Sequence, residues 1–551
     1  MKLQNYLEND WIEGKGEGRA LVNPVTGQEI ARADATGLDL AAAAEFARVT
    51  GGAALRGLSF AERGAVLKAV ADVLAANRDR YVEIARLNSG NTAVDASIDI
   101  DGGIGTLKYF AFLAKTLGEA TTLIEEGRDQ LGREPVFFAQ HLWTSRPGVA
   151  VQINAFNFPS WGMWEKVAVA MLAGVPSLAK PATATALLSY EMMRDVVAAG
   201  VLPEGSLSLV CGSGEGLLAV VGPMDSIAFT GSAETGRMIL NDPHVAASGC
   251  RVTIEADSVN ATILGADAAP GTPVFDLAVR EVVKALSVKA GQLCTNIRRI
   301  FVPAEHAEGF GAAVAAKMAA LVVGDPADEA TRVGPLINAA QKAEALSKIA
   351  KLRAECSVLA EAPLGDVAPD AGFVAPMLLL CDDPMAAQAV HDIEVFGPVA
   401  TLLPYADLDQ AIGLAVKAEG SLALSLFSND PAVQDAVIMG LAPWHGRVLV
   451  VDDSRLQLKL ISSVLKRWGF EVMTAESGQA ALDICMSNPP DLILSDWMMP
   501  GMTGLEFCRA FRQMDGDRYG YFILVTSKSE KGDVAEGLDA GADDFLTKPV
   551  S

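Results

Sequence analysis

The sequence predicts an α/β protein built on open parallel sheets, and three observations carry that expectation. From about residue 148, short apolar runs alternate with helical segments, "GVAVQINAF", "PSLAKPA", "ALLSYEMMRDVVAAG", "SLSLVCG" and "SIAFTGS". Strand and helix in alternation are the pattern of a parallel sheet with crossover helices. Ahead of this block, residues 39–90 are Ala-rich and read as helical, a layer suited to cover the sheet. After residue 446 the alternation restarts with tighter spacing, through "RVLVV", "FEVMTA", "DLILSD", "YFILVTS" and "DFLTKP", with a helical segment between each pair. Five strands and four helices over residues 446–551 make a compact doubly wound domain with its last helix absent.

At 551 residues the chain is too long for one hydrophobic core, and a composition half hydrophobic and one-fifth charged is that of ordered globular domains. The net charge of −24 repels phosphate backbones and anionic lipid, and no Lys/Arg run offsets it, so neither nucleic acid nor a membrane is an expected partner. The longest apolar stretch, "VAVAMLAGVPSLA", falls short of the roughly 20 residues a membrane span needs. The first residues, "MKLQNYLENDWIEG", are acidic where a secretion signal is apolar, and a cytoplasmic location is expected. Seven cysteines without a Cys-x-x-Cys pair and five dispersed histidines indicate neither a disulfide framework nor a zinc site. The remaining question is which thiol is reactive. Cys211, Cys250, Cys356, Cys381, Cys485 and Cys508 read as buried fillers.

Five stretches in order, "NAFNFP" (154–159), "LAKPATAT" (178–185), "FTGSAETG" (229–236), "IEADSVN" (254–260) with "KAGQLCTNIRR" (289–299), and "EVFGPVA" (394–400), resemble the aldehyde dehydrogenase superfamily. The Glu-Ala-Asp-Ser wording and "DIDGGIGTLKYFA" (99–111) are similar to the dehydrogenase half of the ring-opening bifunctional proteins of phenylacetate degradation. The resemblance spans roughly 1–445 and implies a Rossmann-like cofactor domain with an α/β catalytic domain. It implies Cys294 as the nucleophile that attacks an aldehyde, Asn157 and the Cys294 backbone N–H as donors to the oxyanion, and Glu255 as the base that hydrolyses the thioester. For NAD or NADP it implies Lys180 at the adenosine ribose, Gly231 and Ser232 at the pyrophosphate, Glu394 at the second ribose and Phe396 beside the nicotinamide. NAD-selective members carry Glu where this chain has Thr183, and without that charge NADP is acceptable. "GSGEG" (212–216) lacks the dinucleotide-fingerprint spacing and reads as a loop.

The C-terminal block resembles a response-regulator receiver, a flavodoxin-like (βα)5 domain lacking its last helix. Its strands end in Asp452 and Asp453, in Asp496, in Thr526 and at Lys548. In a doubly wound sheet such ends share one edge, so these groups converge. The resemblance implies Mg²⁺ held by Asp452, Asp453 and Asp496, phosphorylation of Asp496, Thr526 and Phe545 as switch residues, and Lys548 facing the phosphoryl oxygens. A histidine kinase or phosphotransfer protein is the implied partner there, and a small-molecule aldehyde at the first site.

The expected domains are 1–255 (helical layer and NAD(P)-binding domain), 256–445 (catalytic domain) and 446–551 (receiver). The segment 446–451 could continue a catalytic sheet or open the receiver; the acidic pair that follows assigns it to the receiver. The closing segment that supports oligomerisation in the dehydrogenase relatives is then missing, although a homo-oligomer stays compatible with the sequence. The leading reading is an NAD(P)-dependent oxidation of an aldehyde, a CoA-linked semialdehyde by resemblance, in a chain that carries a phosphoacceptor module. The alternatives are a phosphorelay signalling protein with an inactive dehydrogenase scaffold, and a non-functional fusion.

Overall fold

Short runs with little alternation set the central strands of the main sheet of the first unit, which are buried on both faces, while its outer strands alternate. The computed structural model describes residues 1–125, 127–131, 136–442, 444, 448–451, 492–496, 503–512, 521–526 and 544–547. The chain divides into two units, one comprising 1–260, 280–300 and 311–403 and the other 261–279, 301–310 and 404–551.

In the first unit, β1 (Ala150–Ile153), β2 (Ser177–Lys180), β3 (Leu207–Leu209), β4 (Ser226–Thr230) and β5 (Arg251–Glu255) lie in the spatial order β5-β4-β1-β2-β3. All four pairings among them are parallel. Asn5–Leu7 and Asp10–Ile12 extend the sheet beyond β3 as an antiparallel hairpin. The strand order reverses direction at β1, so a crevice opens between the carboxyl ends of β1 and β4. Register brings Ile153, Lys180 and Phe229 to one level, and Thr230 faces Glu255.

The helical reading of 39–90 matches helices at Leu40–Phe46, Phe60–Ala76 and Arg78–Ser89. Labelled here are α1 (Phe60–Ala76), α2 (Ala93–Leu117) and α3 (Trp161–Leu172). Ser59 with Glu62 and Thr92 with Asp95 form capping boxes that start α1 and α2, each side-chain cap stabilising its helix by about 1 kcal/mol. Leu67, Val70 and Leu74 of α1, Ile100 and Leu107 of α2 and Trp164 and Met171 of α3 share one buried core. "GSGEG" is a loop. Further along the unit, Ser357–Glu361 pairs antiparallel with Met377–Leu380, which pairs parallel with Val399–Tyr405. Among the described residues no helix is long and apolar enough to cross a membrane.

In the second unit, Ala261–Leu264 and Leu424–Phe427 pair in parallel. Val448–Val451 joins the same sheet, parallel to Leu424–Phe427, with Leu424 opposite Val448 and Phe427 opposite Val451. The sequence reading gave 446–451 to the receiver; in the structure 448–451 pairs in this sheet. A run of four apolar residues suits any covered parallel slot, so its side chains alone do not choose between two parallel sheets. The receiver region has its own three-stranded parallel sheet, Leu492–Asp496, Tyr521–Thr526 and Asp544–Thr547, with the helix Gly504–Arg512.

Replacing Val450 by proline removes one backbone donor from this ladder. The expected result, read by amide hydrogen exchange, is lost protection across Leu424–Phe427. Loss confined to Leu492–Asp496 would instead put the strand in the receiver sheet.

Candidate functional site

Four of the five parallel strands deliver a predicted residue to the same edge. β2 ends on Lys180 and β5 on Glu255; the turn after β1 carries Asn157, and the turn after β4 carries Gly231 and Ser232. Backbone bonds knit this edge together: Asn154 N–H donates to the Lys180 carbonyl at 3.0 Å, and Gly231 N–H to the Glu255 carbonyl at 3.1 Å. A β-carbon at Gly231 would lie 2.6 Å from the Phe229 ring, so the chain turns this tightly only with glycine. Ser232 caps the helix Ala233–Leu240, its hydroxyl accepting from Thr235 N–H, and Asp257 accepts from Ala233 N–H at 3.1 Å.

Cys294 arrives from a separate segment. Lys289, Ala290 and Gly291 all adopt left-handed conformations, with φ of 48°, 50° and 72°. Only glycine fits at 291, because a β-carbon there would stand 2.2 Å from the Gly397 carbonyl oxygen. The turn presents Cys294 half-buried, its thiol within hydrogen-bonding reach of the Glu255 carboxylate. Burial first, and the Glu255 carboxylate second, push the thiol up to about 12. The backbone of the loop is fixed by Asn260, whose Nδ2 donates to the carbonyls of Cys294 (2.8 Å) and Asn296 (3.0 Å). Asn157 is buried and its Nδ2 donates to the Gln292 carbonyl at 3.0 Å, so the predicted oxyanion donor sits directly against the nucleophile loop.

Glu394 is buried with both oxygens engaged. One accepts from Arg298 Nε (3.2 Å) and Nη2 (3.0 Å), the other from Ser258 N–H (3.1 Å). Desolvation nevertheless raises its carboxyl above the usual range, and it lowers Arg298. Phe396 packs edge-on to Phe156, with ring centroids 5.5 Å apart, beneath the Arg298 guanidinium at 5.6 Å. Lys180 donates to the Pro181 carbonyl at 3.1 Å; burial lowers its ammonium to about 8, against the opposing pull of Cys211. Thr183 donates to the Gly212 carbonyl at 2.8 Å, which brings the loop read as featureless against a predicted cofactor residue.

The structure thus brings Asn157, Glu255, Cys294, Glu394 and Phe396 into one connected site with Lys180, Thr183, Gly231 and Ser232 along the same sheet edge. The sequence reading missed Arg298, which sits in "NIRR" four residues after Cys294 beside a second arginine and among polar residues, where no sequence signal sets it apart. Of the other cysteines, Cys211, Cys356, Cys381 and Cys508 are buried and Cys250 is half-buried, while Cys485 lies outside the described residues. In the receiver region, register places Asp496 opposite Val525, and Thr526 opposite Thr547, at the carboxyl ends of parallel strands; Phe545 pairs with Leu524 two positions earlier. Asp452, Asp453 and Lys548 lie outside the described residues.

Two family models match the chain: the aldehyde dehydrogenase family over residues 11–449 and the response regulator receiver domain over 448–551. A 3,4-dehydroadipyl-CoA semialdehyde dehydrogenase from Aromatoleum evansii is 50% identical over 457 residues, covering 82% of this chain and 89% of the relative. Retinal dehydrogenase 2 of Mus musculus is 29% identical over 81% of this chain and 83% of its own. Among solved structures, a Staphylococcus aureus betaine aldehyde dehydrogenase in complex with NAD+ superposes with a TM-score of 0.73 at 25% identity, over 82% of this chain and 87% of that one.

The Cys294 environment makes one expectation direct. Glu255→Gln removes the charge that helps hold the thiol protonated and leaves a weaker, neutral acceptor, so the thiol falls toward its ordinary value and more thiolate forms near neutral pH. Iodoacetamide labelling of Cys294, followed by mass spectrometry against pH, should then accelerate about tenfold for each unit by which the thiol falls. Slower labelling would mean that Glu255 instead draws the proton away from sulfur.

Proposed function

The chain belongs to the aldehyde dehydrogenase family, and from that premise we propose that it oxidises a CoA-linked semialdehyde to the acid through a thioester on Cys294, and that it carries a phosphoacceptor module. The observation that carries the first part is the joint placement of Cys294, Glu255 and Asn157 at the carboxyl edge of one sheet. The identity to the semialdehyde dehydrogenase of Aromatoleum evansii supports the substrate class.

The proposed steps use the side chains described above. Cys294 sulfur, once deprotonated, adds to the aldehyde carbon; Asn157 Nδ2, with a second hydrogen free beyond the one given to Gln292, and the Cys294 N–H stabilise the oxyanion. Each donor of this kind is worth about 3 kcal/mol in the transition state. The nicotinamide cofactor, when bound, accepts the hydride. Glu255 then takes a proton from water, and the hydroxide attacks the thioester, releasing the acid and the thiol. Lys180 fits a ribose: its half-buried ammonium has three donors and gives one to Pro181. The N-terminal turn capped by Ser232 offers backbone donors to a pyrophosphate, and Glu394 and Phe396 would flank the second ribose and nicotinamide. Thr183 carries no charge against a 2′-phosphate, which favours NADP as well as NAD.

For the second part, Asp496 would attack a phosphoryl group, with Mg²⁺ held by Asp452, Asp453 and Asp496, Lys548 facing the phosphoryl oxygens, and Thr526 and Phe545 responding to the new charge. The parallel register that sets Asp496 and Thr526 on one edge supports this.

In stopped-flow measurements with an aldehyde and NADP, Glu255→Gln should keep the burst of reduced cofactor while steady turnover falls about 10²- to 10⁴-fold. Cys294→Ser should abolish the burst; an unchanged burst would overturn the thioester route. Asp496→Asn should lose the label taken up from radioactive acetyl phosphate, and equal labelling would refute the phosphoacceptor role.

A further inference from the structure

Helix α2 carries two carboxylates, Asp95 and Asp99, one turn apart on one face, and both are buried, at 3% and 0% exposure. Like charges at that spacing oppose each other, and burial raises the cost of ionising either one. Such a pair persists only where other groups compensate it, so what each carboxylate holds is informative.

Asp99 accepts from two consecutive backbone donors, Ser160 N–H at 3.2 Å and Trp161 N–H at 2.7 Å. These are the first free donors of α3, where a negative charge is favoured, and they lie three and four residues after Asn157. The close approach is built in on the helix side. A β-carbon at Gly102 would lie 2.3 Å from the Trp161 ring, and one at Gly103 2.9 Å from Ser160 Oγ, which explains the two adjacent glycines of "DIDGGIG". Asp95 faces the other loop. While one of its oxygens serves the capping box with Thr92, Oδ1 accepts from Lys289 N–H at 2.8 Å, fixing the first residue of the left-handed turn that leads to Cys294. The Lys289 side chain closes the circuit: its ammonium is buried, makes no hydrogen bond, and lies 4.7 Å from the centre of the Phe158 ring, next to Asn157. Burial lowers the Lys289 ammonium, and the nearby Asp99 and Asp95 carboxylates act against that shift through space.

We propose that Asp99 and Asp95 are positioning residues, a paired clamp on α2 that sets the Asn157 loop and the Cys294 loop at the spacing that the oxyanion requires, with the Lys289 ammonium as their shared counter-charge. Asp99 acts through Asn157, and Asp95 through the turn before Cys294. The inference rests on the thioester reading above and assigns side chains that reading leaves without a role.

The two arms of the clamp have separate readouts. Asp99→Asn keeps the shape but offers one acceptor and one donor where two acceptors are needed, so the turn at 160–161 is released on one side. A displacement of about 1 Å at the oxyanion donor costs about 10²-fold in rate. Asp99→Asn is therefore expected to lower the burst rate about tenfold to a hundredfold while the rate of iodoacetamide labelling of Cys294 is kept. Asp95→Asn is expected to change the labelling rate several-fold. In the Asn157→Ala background, Asp99→Asn should have no further effect on the burst. Full additivity in that cycle, or an unchanged burst in Asp99→Asn, would overturn the proposal. Should Asp99→Asn fail to give a cooperative melt, Asp99→Ser, whose hydroxyl can still accept, carries the same comparison. A parent protein that labels at Cys294 yet shows no burst refutes the thioester reading itself, whereas an active parent with indifferent Asp99 refutes the clamp alone.

Discussion

One buried guanidinium organises the reactive end of this site. Arg298 donates to the Glu394 carboxylate, to the carbonyls of Gly291 and Gly397 at 3.0 Å and to the carbonyl of Leu293 at 3.2 Å. It thereby joins the nucleophile loop to the segment that carries Glu394 and Phe396. With both ions about 5% exposed, desolvation works against the pair, raising Glu394 and lowering Arg298, so the bridge is poor as a source of stability. Its value is geometric. A planar fork that answers three carbonyls and a carboxylate at once fixes orientation in a way that an apolar side chain of equal volume could not.

The same constraint accounts for the strained turn. Three successive left-handed residues, two of them with side chains, cost of order 1–3 kcal/mol each for the non-glycine positions. They persist because both sides of the turn are held: Arg298 takes the Gly291 carbonyl, Asp95 takes the Lys289 N–H, and Gly397 packs too close to Gly291 for a β-carbon. What results is a half-buried thiol aimed at a carboxylate. Burial and that carboxylate both raise the Cys294 thiol, which favours its protonated form.

Much of this was legible in the sequence. Parallel strands end on a common edge, so Lys180, Asn157, Gly231 and Glu255 could be placed together from the strand pattern and the family stretches alone. Cys294, Glu394 and Phe396 needed the family order, because no periodicity joins segments a hundred residues apart. What stayed illegible were partners whose role depends on burial. Arg298 reads as a surface cation until its surroundings are known. Asp95 and Asp99 drew no reading, since neither spacing nor composition says which side of α2 meets the turn at Ser160. Thr183 and "GSGEG" were judged separately, although a hydrogen bond joins them.

The junction admits two readings for a related reason. A strand's side chains report that it will be covered, and its flanking residues report what chemistry follows, but neither reports which open edge is nearest when the strand forms. Val448–Val451 satisfies two descriptions at once, the last parallel strand beside Leu424–Phe427 and the first strand before an acidic pair. Backbone donors and acceptors on one edge of Leu424–Phe427 need a partner in either case, and the connection from the preceding helix, Pro431–Leu441, is short. Local closure therefore favours the neighbouring sheet, because a short loop orders fewer residues than a pairing with strands that come later in the chain.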